Sequence, residues 1–137
     1  SDDNSSSDKN IYDNPTNAKR EKVKIDISYS GGTEEYGPFV IFYSWITNNE
    51  GQYKMPTYDN DGYEHHTLHS EDFANKSVYK LHTKDKVEGV TIMASFLPDD
   101  DINKEFYIKI YTDKKVLDER VVKRRTTDSV NYTVLVD

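Results

Sequence analysis

Apolar side chains at every second position are the feature that most constrains the fold of this chain. In KVKIDISYS, Val23, Ile25, Ile27 and Tyr29 alternate with lysine, aspartate and serine. Successive side chains of a β-strand point to opposite faces of a sheet, so this spacing places the apolar side chains on one face. The same period recurs in GVTIMASFL and EFYIKIYT. The sequence therefore predicts strands that each have one face in a core.

Six or seven such strands, separated by short polar turns, describe an all-β domain. The composition includes 11 Tyr and 5 Phe but only 4 Pro, which suits the half-buried surface of a pleated sheet. Asp113 and Lys114 join two alternating segments and predict a β-hairpin. We therefore predict an antiparallel immunoglobulin-like β-sandwich of about seven strands over residues 21–137, with a small barrel as the alternative.

Two segments depart from this alternation. PFVIFYSWIT is apolar at both odd and even positions, which is typical of a central strand covered on both faces. Its Trp45 stands where the core of a sandwich needs a large ring.

One helical turn is predicted after Ser70, because Glu71 and Asp72 then fall in its first turn.

The first 20 residues contrast with the alternating body. They contain four Ser, four Asn and four Asp, with almost no apolar side chain. Such a segment cannot bury enough apolar surface to offset the entropy lost on ordering. We therefore predict a flexible polar tether over residues 1–20.

Charge and composition argue against several classes of function. The 25 Asp and Glu outnumber the 18 Lys and Arg, giving a net charge of -7, whereas nucleic acid and anionic membranes are bound by cations. The chain has no run of 18 apolar residues and no cysteine, which argues against a membrane span and against thiolate chemistry. Motifs for a serine nucleophile, a phosphate-binding loop or a dinucleotide are missing as well. We predict that the protein is not an enzyme and needs no cofactor.

The second half of the chain resembles a known group of proteins. VTIMASF, KEFYIKIYTDKKVLDERVV and YTVLVD follow a strand–turn–strand pattern, and KVKIDISYSG fits the opening strand of the same pattern. The pattern is similar to that of small β-sandwich lipoproteins of Bacteroidota and, more distantly, to the mycobacterial membrane-protein-small family. It covers residues 22–30 and 77–137, and residues 31–76 depart from it. The resemblance brings no catalytic residues.

The resemblance implies a lipid-anchored protein of the cell envelope, displayed on the surface of the outer membrane. A lipidated cysteine would precede Ser1, and the polar tether would lift the domain off the membrane. Ser1, Asp2 and Asp3 are similar to the acidic tag that routes such lipoproteins to the outer surface. The implied partner is an unknown extracellular protein or glycan, and membrane contact is through the lipid anchor only.

Three of the four histidines fall in YEHHTLHSED. Imidazole and carboxylate are the ligands that zinc takes where cysteine is lacking. His65, His66 and His69 are therefore candidate metal ligands, and a metal-dependent hydrolase is one alternative function. The zincin motif needs glutamate where His66 stands, so a polar surface loop is the competing interpretation.

The segment TYDNDGYE has part of the pattern of a calcium-binding loop. Asp59, Asp61 and Gly62 match the third, fifth and sixth positions of an EF-hand loop. Thr57 and Leu68 stand where the two end carboxylates of that loop are needed. The pattern favours a turn and leaves loose calcium binding open.

Tyrosines form a third candidate site, for carbohydrate. Exposed rings stack on sugars, and the candidates are Tyr107, Tyr111, Tyr53, Tyr58 and Tyr63. Outward tyrosines also serve cross-strand pairing, which is the competing interpretation. The leading hypothesis is a non-catalytic, surface-tethered module for extracellular binding or envelope assembly, with a carbohydrate-binding accessory protein as its rival.

Overall fold

The chain folds into strands joined by short turns. The computed structural model describes residues 18–31, 38–74, 76, 78–96 and 102–137. The elements are β1 (Lys24–Ser30), β2 (Phe39–Asn48), β3 (Gly51–Met55), β4 (Thr57–Asp59), β5 (Thr67–Leu68), α1 (Ser70–Ala74), β6 (Tyr79–Thr83), β7 (Gly89–Ser95), β8 (Glu105–Tyr111), β9 (Val116–Lys123) and β10 (Ser129–Leu135). No helix in these ranges is long and apolar enough to cross a membrane.

The strands form two antiparallel sheets. Sheet one has the order β4-β6-β1-β8-β9, and sheet two has the order β10-β7-β2-β3 with β5 paired to β2. Strand β1 is the centre of sheet one, because Ile25 lies between Leu81 of β6 and Ile110 of β8. The predicted antiparallel β-sandwich is confirmed. The described residues contain ten strands rather than about seven, because three short strands divide the segment after β2.

The core lies between the two sheets, where the alternating side chains of the sequence point. Its fully buried members include Ile25, Ile27, Phe42, Ile92, Phe106, Ile108 and Ile110. Burial of each such side chain contributes about 1.5–3 kcal/mol. The alternation in the sequence therefore predicted correctly which face of β1, β7 and β8 points into the core.

Strand β2 differs from its prediction. Val40 and Phe42 face the core, but Ile41 on the other face is 37% exposed, so the first half of the strand is covered on one side only. Trp45 shares the parity of Ile41 and is buried outside the core cluster. Its ring packs on Gly89 of β7, where an added Cβ would lie 2.6 Å from a ring carbon. Trp45 is therefore buried as predicted, but it lies outside the main core cluster and packs against β7 of its own sheet.

The predicted tether falls mostly outside the described residues, because residues 1–17 are not among them. Arg20, near its end, is attached to the domain. Its Nε lies 3.0 Å from Oε2 of Glu88, and its Nη2 donates a 2.9 Å hydrogen bond to the carbonyl of Thr47. Arg20, which the prediction placed at the end of the tether, therefore contacts the domain.

Candidate functional site

Asp59, the last residue of β4, is the centre of the candidate site. Strand β4 is an edge strand of sheet one and pairs with β6, so that Asp59 lies opposite Leu81. The Asp59 side chain is only 3% exposed. A buried carboxylate is costly unless hydrogen bonds satisfy its oxygens. The contacts of Asp59 therefore decide what this part of the molecule can do.

One carboxylate oxygen of Asp59 holds a tight turn. Oδ1 accepts hydrogen bonds from the backbone N–H groups of Asp61 and Tyr63, each at 3.0 Å. The backbone of Asp59 also accepts from Gly62 N–H at 3.1 Å and donates to the carbonyl of Tyr63 at 2.9 Å. Gly62 has φ +89°, which side chains disfavour. The predicted turn is thus built around the Asp59 carboxylate.

The second oxygen of Asp59 joins a polar network with β6. Oδ2 lies 2.9 Å from Nε2 of His65 and accepts a 3.2 Å hydrogen bond from the hydroxyl of Tyr79. The same hydroxyl lies 3.0 Å from Nε2 of His65. The backbone N–H of His65 donates to the carbonyl of Thr57, which fixes the ring beside β4. The three side chains therefore form one connected cluster.

The cluster keeps Asp59 ionised. Burial raises the pKa of Asp59, but hydrogen bonds from the Tyr63 and Asp61 backbone, together with those from Tyr79 and His65, outweigh it and lower the net pKa. Burial and the Asp59 charge raise the pKa of the Tyr79 hydroxyl. At neutral pH the network therefore has a carboxylate acceptor and a protonated phenol donor.

An acidic cleft of about 450 Å³ opens beside this network. Its carboxylate lining consists of Asp59, Asp61, Glu64, Glu71 and Asp72. Lys76 faces them: its Nζ lies 3.2 Å from Oδ2 of Asp61 and 4.7 Å from the centre of the Tyr79 ring. One ammonium group thus stands among five carboxylates, and the cleft is a place where a cation is favoured.

The predicted helical turn supplies two of these carboxylates. Helix α1 begins at Ser70, and Oδ2 of Asp72 accepts a 2.8 Å hydrogen bond from the backbone N–H of His69. As in a capping box, the side chain of the third helical residue accepts a hydrogen bond from the N–H of the residue that precedes the helix. This contact fixes the start of the helix. Glu71 and Asp72 are therefore held on the rim of the cleft by local structure.

The three candidate histidines contact different partners. His65 belongs to the Asp59 network, Nε2 of His66 lies 3.3 Å from Oε1 of Glu64, and the ring of His69 stacks on Phe39 at 6.4 Å. Within the described ranges, no three His, Asp or Glu side chains are grouped so as to hold a metal ion. A metal site made of the three imidazoles stays a prediction, and the structure does not bring the rings together.

The five candidate tyrosines lie in three places. Tyr107 and Tyr111 are on the outer face of β8, and Tyr58 is on the same face of sheet one, on β4. Tyr53 packs against the core from sheet two, and Tyr63 is 68% exposed in the turn beside the acidic cleft. They therefore do not form one platform.

Hydroxyl contacts tie the β8 tyrosines to neighbouring strands. Tyr107 donates to Glu119 of β9, and Tyr111 donates a 3.1 Å hydrogen bond to Asp26 of β1. These are the cross-strand pairings of the competing interpretation.

Sequence reasoning missed Tyr79 and Lys76, which complete the cleft. Tyr79 lies on the inward parity of β6, together with Leu81. A buried tyrosine usually finds a partner for its hydroxyl, and this was the available signal. The partner, Asp59, is 20 residues away and is reached only through pairing of β4 with β6.

Comparison with known proteins shows the fold of the chain. No family model matches it, and no curated protein is significantly similar in sequence. A solved structure of the calcium-bound form of a protein from Parabacteroides distasonis superposes with TM-score 0.59 at 14% identity, covering 88% of this chain and 96% of that chain.

Two further structures belong to DUF4425, a family of domains of unknown function. The protein from Bacteroides vulgatus superposes with TM-score 0.52 at 18% identity, covering 83% of this chain and 91% of its own. The protein from Bacteroides ovatus gives TM-score 0.53 at 17% identity, with coverage of 85% and 95%. These identities establish a shared fold, and the sources are consistent with the predicted origin in Bacteroidota.

Proposed function

We propose that the protein is a non-catalytic binding module of the cell envelope that takes up calcium in the acidic cleft. The observation that carries the proposal is the Asp59 turn: a buried, ionised carboxylate fixes residues 59–63 beside four further carboxylates. Calcium prefers such oxygen ligands and tolerates irregular geometry.

The side chains of the cleft divide into supports and candidate ligands. Both oxygens of Asp59 are engaged with the turn, His65 and Tyr79, so Asp59 acts as the support that positions the turn. Asp61 and Glu64 are exposed and are the candidate ligands on the turn. Calcium entry would displace the Lys76 ammonium from Asp61. No three His, Asp or Glu side chains of the described residues are grouped so as to hold a metal ion, so calcium binding would require the exposed carboxylates to move toward one another.

The comparison with known structures supports calcium as the ion. The Parabacteroides distasonis protein has the same fold and was solved in a calcium-bound form. Of the incomplete EF-hand pattern, Asp61 at the fifth position remains a candidate ligand and lies in the turn that Asp59 holds. The neighbour thus supports the identity of the ion, and the residues of this chain support its location.

The make-up of the cleft favours binding over catalysis. Its lining contains no serine, threonine or cysteine that could act as a nucleophile. Its one imidazole, His65, is engaged with Asp59 and Tyr79.

The proposal of display on the envelope depends on the tether predicted for residues 1–20 and on the resemblance to Bacteroidota lipoproteins. Labelling of the full-length precursor with palmitate, with and without its lipobox cysteine, tests this part. Label that disappears with the cysteine supports surface anchoring, and a precursor that takes up no label contradicts it.

Calcium binding is tested by thermal unfolding and calorimetric titration with CaCl2, EDTA and MgCl2. We expect calcium to raise the Tm, since a ligand at 100 times its Kd stabilises the native state by about 2.7 kcal/mol. The Asp61→Asn, Glu64→Gln double variant should lose this shift. A matched control, Asp113→Asn with Glu119→Gln, removes two exposed carboxylates elsewhere and should keep it. The proposal would be contradicted if calcium did not change the Tm of the parent protein, or if the Asp61→Asn, Glu64→Gln variant kept the calcium-induced rise in Tm.

A further inference from the structure

A second cavity, of about 300 Å³, opens on the outer face of sheet one. It lies where β1 begins, β6 ends and β4 forms the edge of the sheet. Its lining is Lys22, Val23, Lys24, Tyr58, His82, Thr83, Lys84 and Asp113. We refer to it as the basic cavity.

The charge of this cavity is opposite to that of the molecule. Three lysines face one carboxylate, although the whole chain has net charge -7. Lys24 Nζ lies 2.9 Å from Oδ1 of Asp113, and Lys22 also lowers the pKa of Asp113 through its charge. Among the described residues no carboxylate forms an ion pair with Lys84. The cavity therefore keeps an excess of positive charge that an anionic ligand would neutralise.

An aromatic wall adjoins these charges. Tyr58 of β4 lies opposite His82 of β6, with ring centroids 6.1 Å apart. On the neighbouring strands, His82 lies opposite Lys24 of β1, and Lys24 lies opposite Tyr111 of β8. Pockets that bind small molecules combine such apolar walls with a few polar groups that fix orientation.

We infer that the basic cavity binds an acidic saccharide. The apolar C–H face of the sugar ring packs against Tyr58, and its carboxylate or sulfate group lies between Lys22 and Lys84. Asp113 then accepts a hydrogen bond from a ring hydroxyl. A bare anion would use the lysines but not the aromatic wall, and a neutral sugar would leave the lysines unneutralised. The Tyr58 ring and the lysine charges together therefore favour an acidic saccharide over a bare anion or a neutral sugar.

This inference rests on the proposed binding function and names a ligand for a site separate from the acidic cleft. It extends the tyrosine hypothesis to a smaller set of residues, since only Tyr58 of the candidate tyrosines lines the cavity. Lys22, Lys84 and Asp113 replace the other four tyrosines as the recognition groups.

Calorimetric titration at 50 and 300 mM NaCl tests the inference with four probes: tetragalacturonate, a sulfated galactan tetrasaccharide, neutral galactotetraose and inorganic sulfate. We expect at least one acidic saccharide to bind about tenfold more tightly than the neutral one, and more weakly at high salt. Binding of the uronate alone assigns a carboxylate ligand, and binding of the sulfated probe alone assigns a sulfate ligand. No binding, equal binding of the neutral sugar, or equal binding of free sulfate overturns the inference.

Variants locate the site. Lys22→Gln with Lys84→Gln should weaken binding about tenfold, as two exposed ion pairs contribute about 0.7 kcal/mol each. Lys54→Gln with Lys123→Gln, on other parts of the surface, should leave it unchanged. Tyr58→Leu keeps an apolar side chain for folding and should abolish the preference over free sulfate. Failure of saccharide binding with an intact calcium-induced Tm shift would reject this inference and leave the proposed calcium function standing.

Discussion

The acidic cleft and the basic cavity lie on either side of one short strand. Asp59 and Tyr58 are neighbours in β4, but successive strand side chains point to opposite faces, so Asp59 faces inward and Tyr58 faces the outer surface. The acidic cleft is organised around a carboxylate that is 3% exposed. The basic cavity has exposed lysines and a surface ion pair. The two sites therefore differ in how much of the fold depends on them.

This difference predicts how substitutions in each site will affect the stability of the protein. A buried, multiply hydrogen-bonded group leaves unsatisfied partners behind when it is removed, whereas an exposed ion pair is replaced by water. We therefore expect the acidic cleft to couple ligand binding to stability. Substitutions in the basic cavity should change ligand binding but leave the stability of the unliganded protein nearly unchanged.

The largest expected effect is that of Asp59→Ala. It strips two backbone N–H groups and the Tyr79 hydroxyl of their acceptor, and should lower the free energy of unfolding by about 3 kcal/mol. Chemical denaturation measures this change. Asp113→Ala removes the carboxylate of the basic cavity and should unfold at nearly the same denaturant concentration as the parent, because its ion pair with Lys24 is exposed. Equal losses in both variants would remove the distinction between the sites.

The second effect is on acid stability. Because the pKa of Asp59 is lowered in the folded protein, Asp59 adds stability above its unfolded pKa of about 3.9, and this stability is lost as pH falls through the lower folded pKa. Denaturation between pH 2 and 7 should show a loss below about pH 4 that Asp59→Asn abolishes.

The salt dependence of acid stability distinguishes the contribution of Asp59 from that of Asp113 in the basic cavity. The hydrogen bond from Lys24 also lowers the pKa of Asp113, but that pair is exposed. Its share of the acid sensitivity should disappear at about 0.5 M NaCl, and the share of Asp59 should persist. Acid sensitivity that salt removes completely would show that Asp59 is not the responsible group.

A smaller effect is expected from deleting single hydroxyls. Tyr79→Phe removes a buried donor to Asp59 and should cost about 1 kcal/mol. Tyr111→Phe removes a hydroxyl that donates to Asp26 on the outer face and should cost at most about 0.5 kcal/mol. Thermal and urea unfolding of the pair gives the comparison, and a reversed order would contradict it.

Much of the fold could be predicted because β structure leaves a local signature. The alternation in β1 and β8 identified the buried faces correctly, since one covered face requires a period of two. The burial of Trp45 was predicted but the face on which it lies was not, because a buried aromatic side chain gives the same pattern on either face of a strand. Its place on the outer face depends on Gly89 of the neighbouring strand, which the local pattern cannot reveal.

The sites were less predictable because they are assembled by strand pairing. The turn after Asp59 was evident from the sequence, since Asn, Asp and Gly favour turns. The partnership of Asp59 with Tyr79 needs β4 beside β6, and the basic cavity needs residues 22–24 beside His82 and Lys84. Local periodicity specifies that strands exist but not which strands are neighbours.

Calcium titration followed by ¹⁵N–¹H correlation spectra of the full chain tests the central claim most directly. We predict that saturable shifts concentrate on the amides of Asp61, Gly62, Tyr63 and Glu64, while those of Lys22, His82 and Lys84 stay in place. Magnesium at the same concentration should produce smaller shifts, because it demands stricter octahedral geometry. A titration in which the 61–64 amides do not move, or in which the shifts fall on other parts of the domain, would contradict calcium binding at the Asp59 turn.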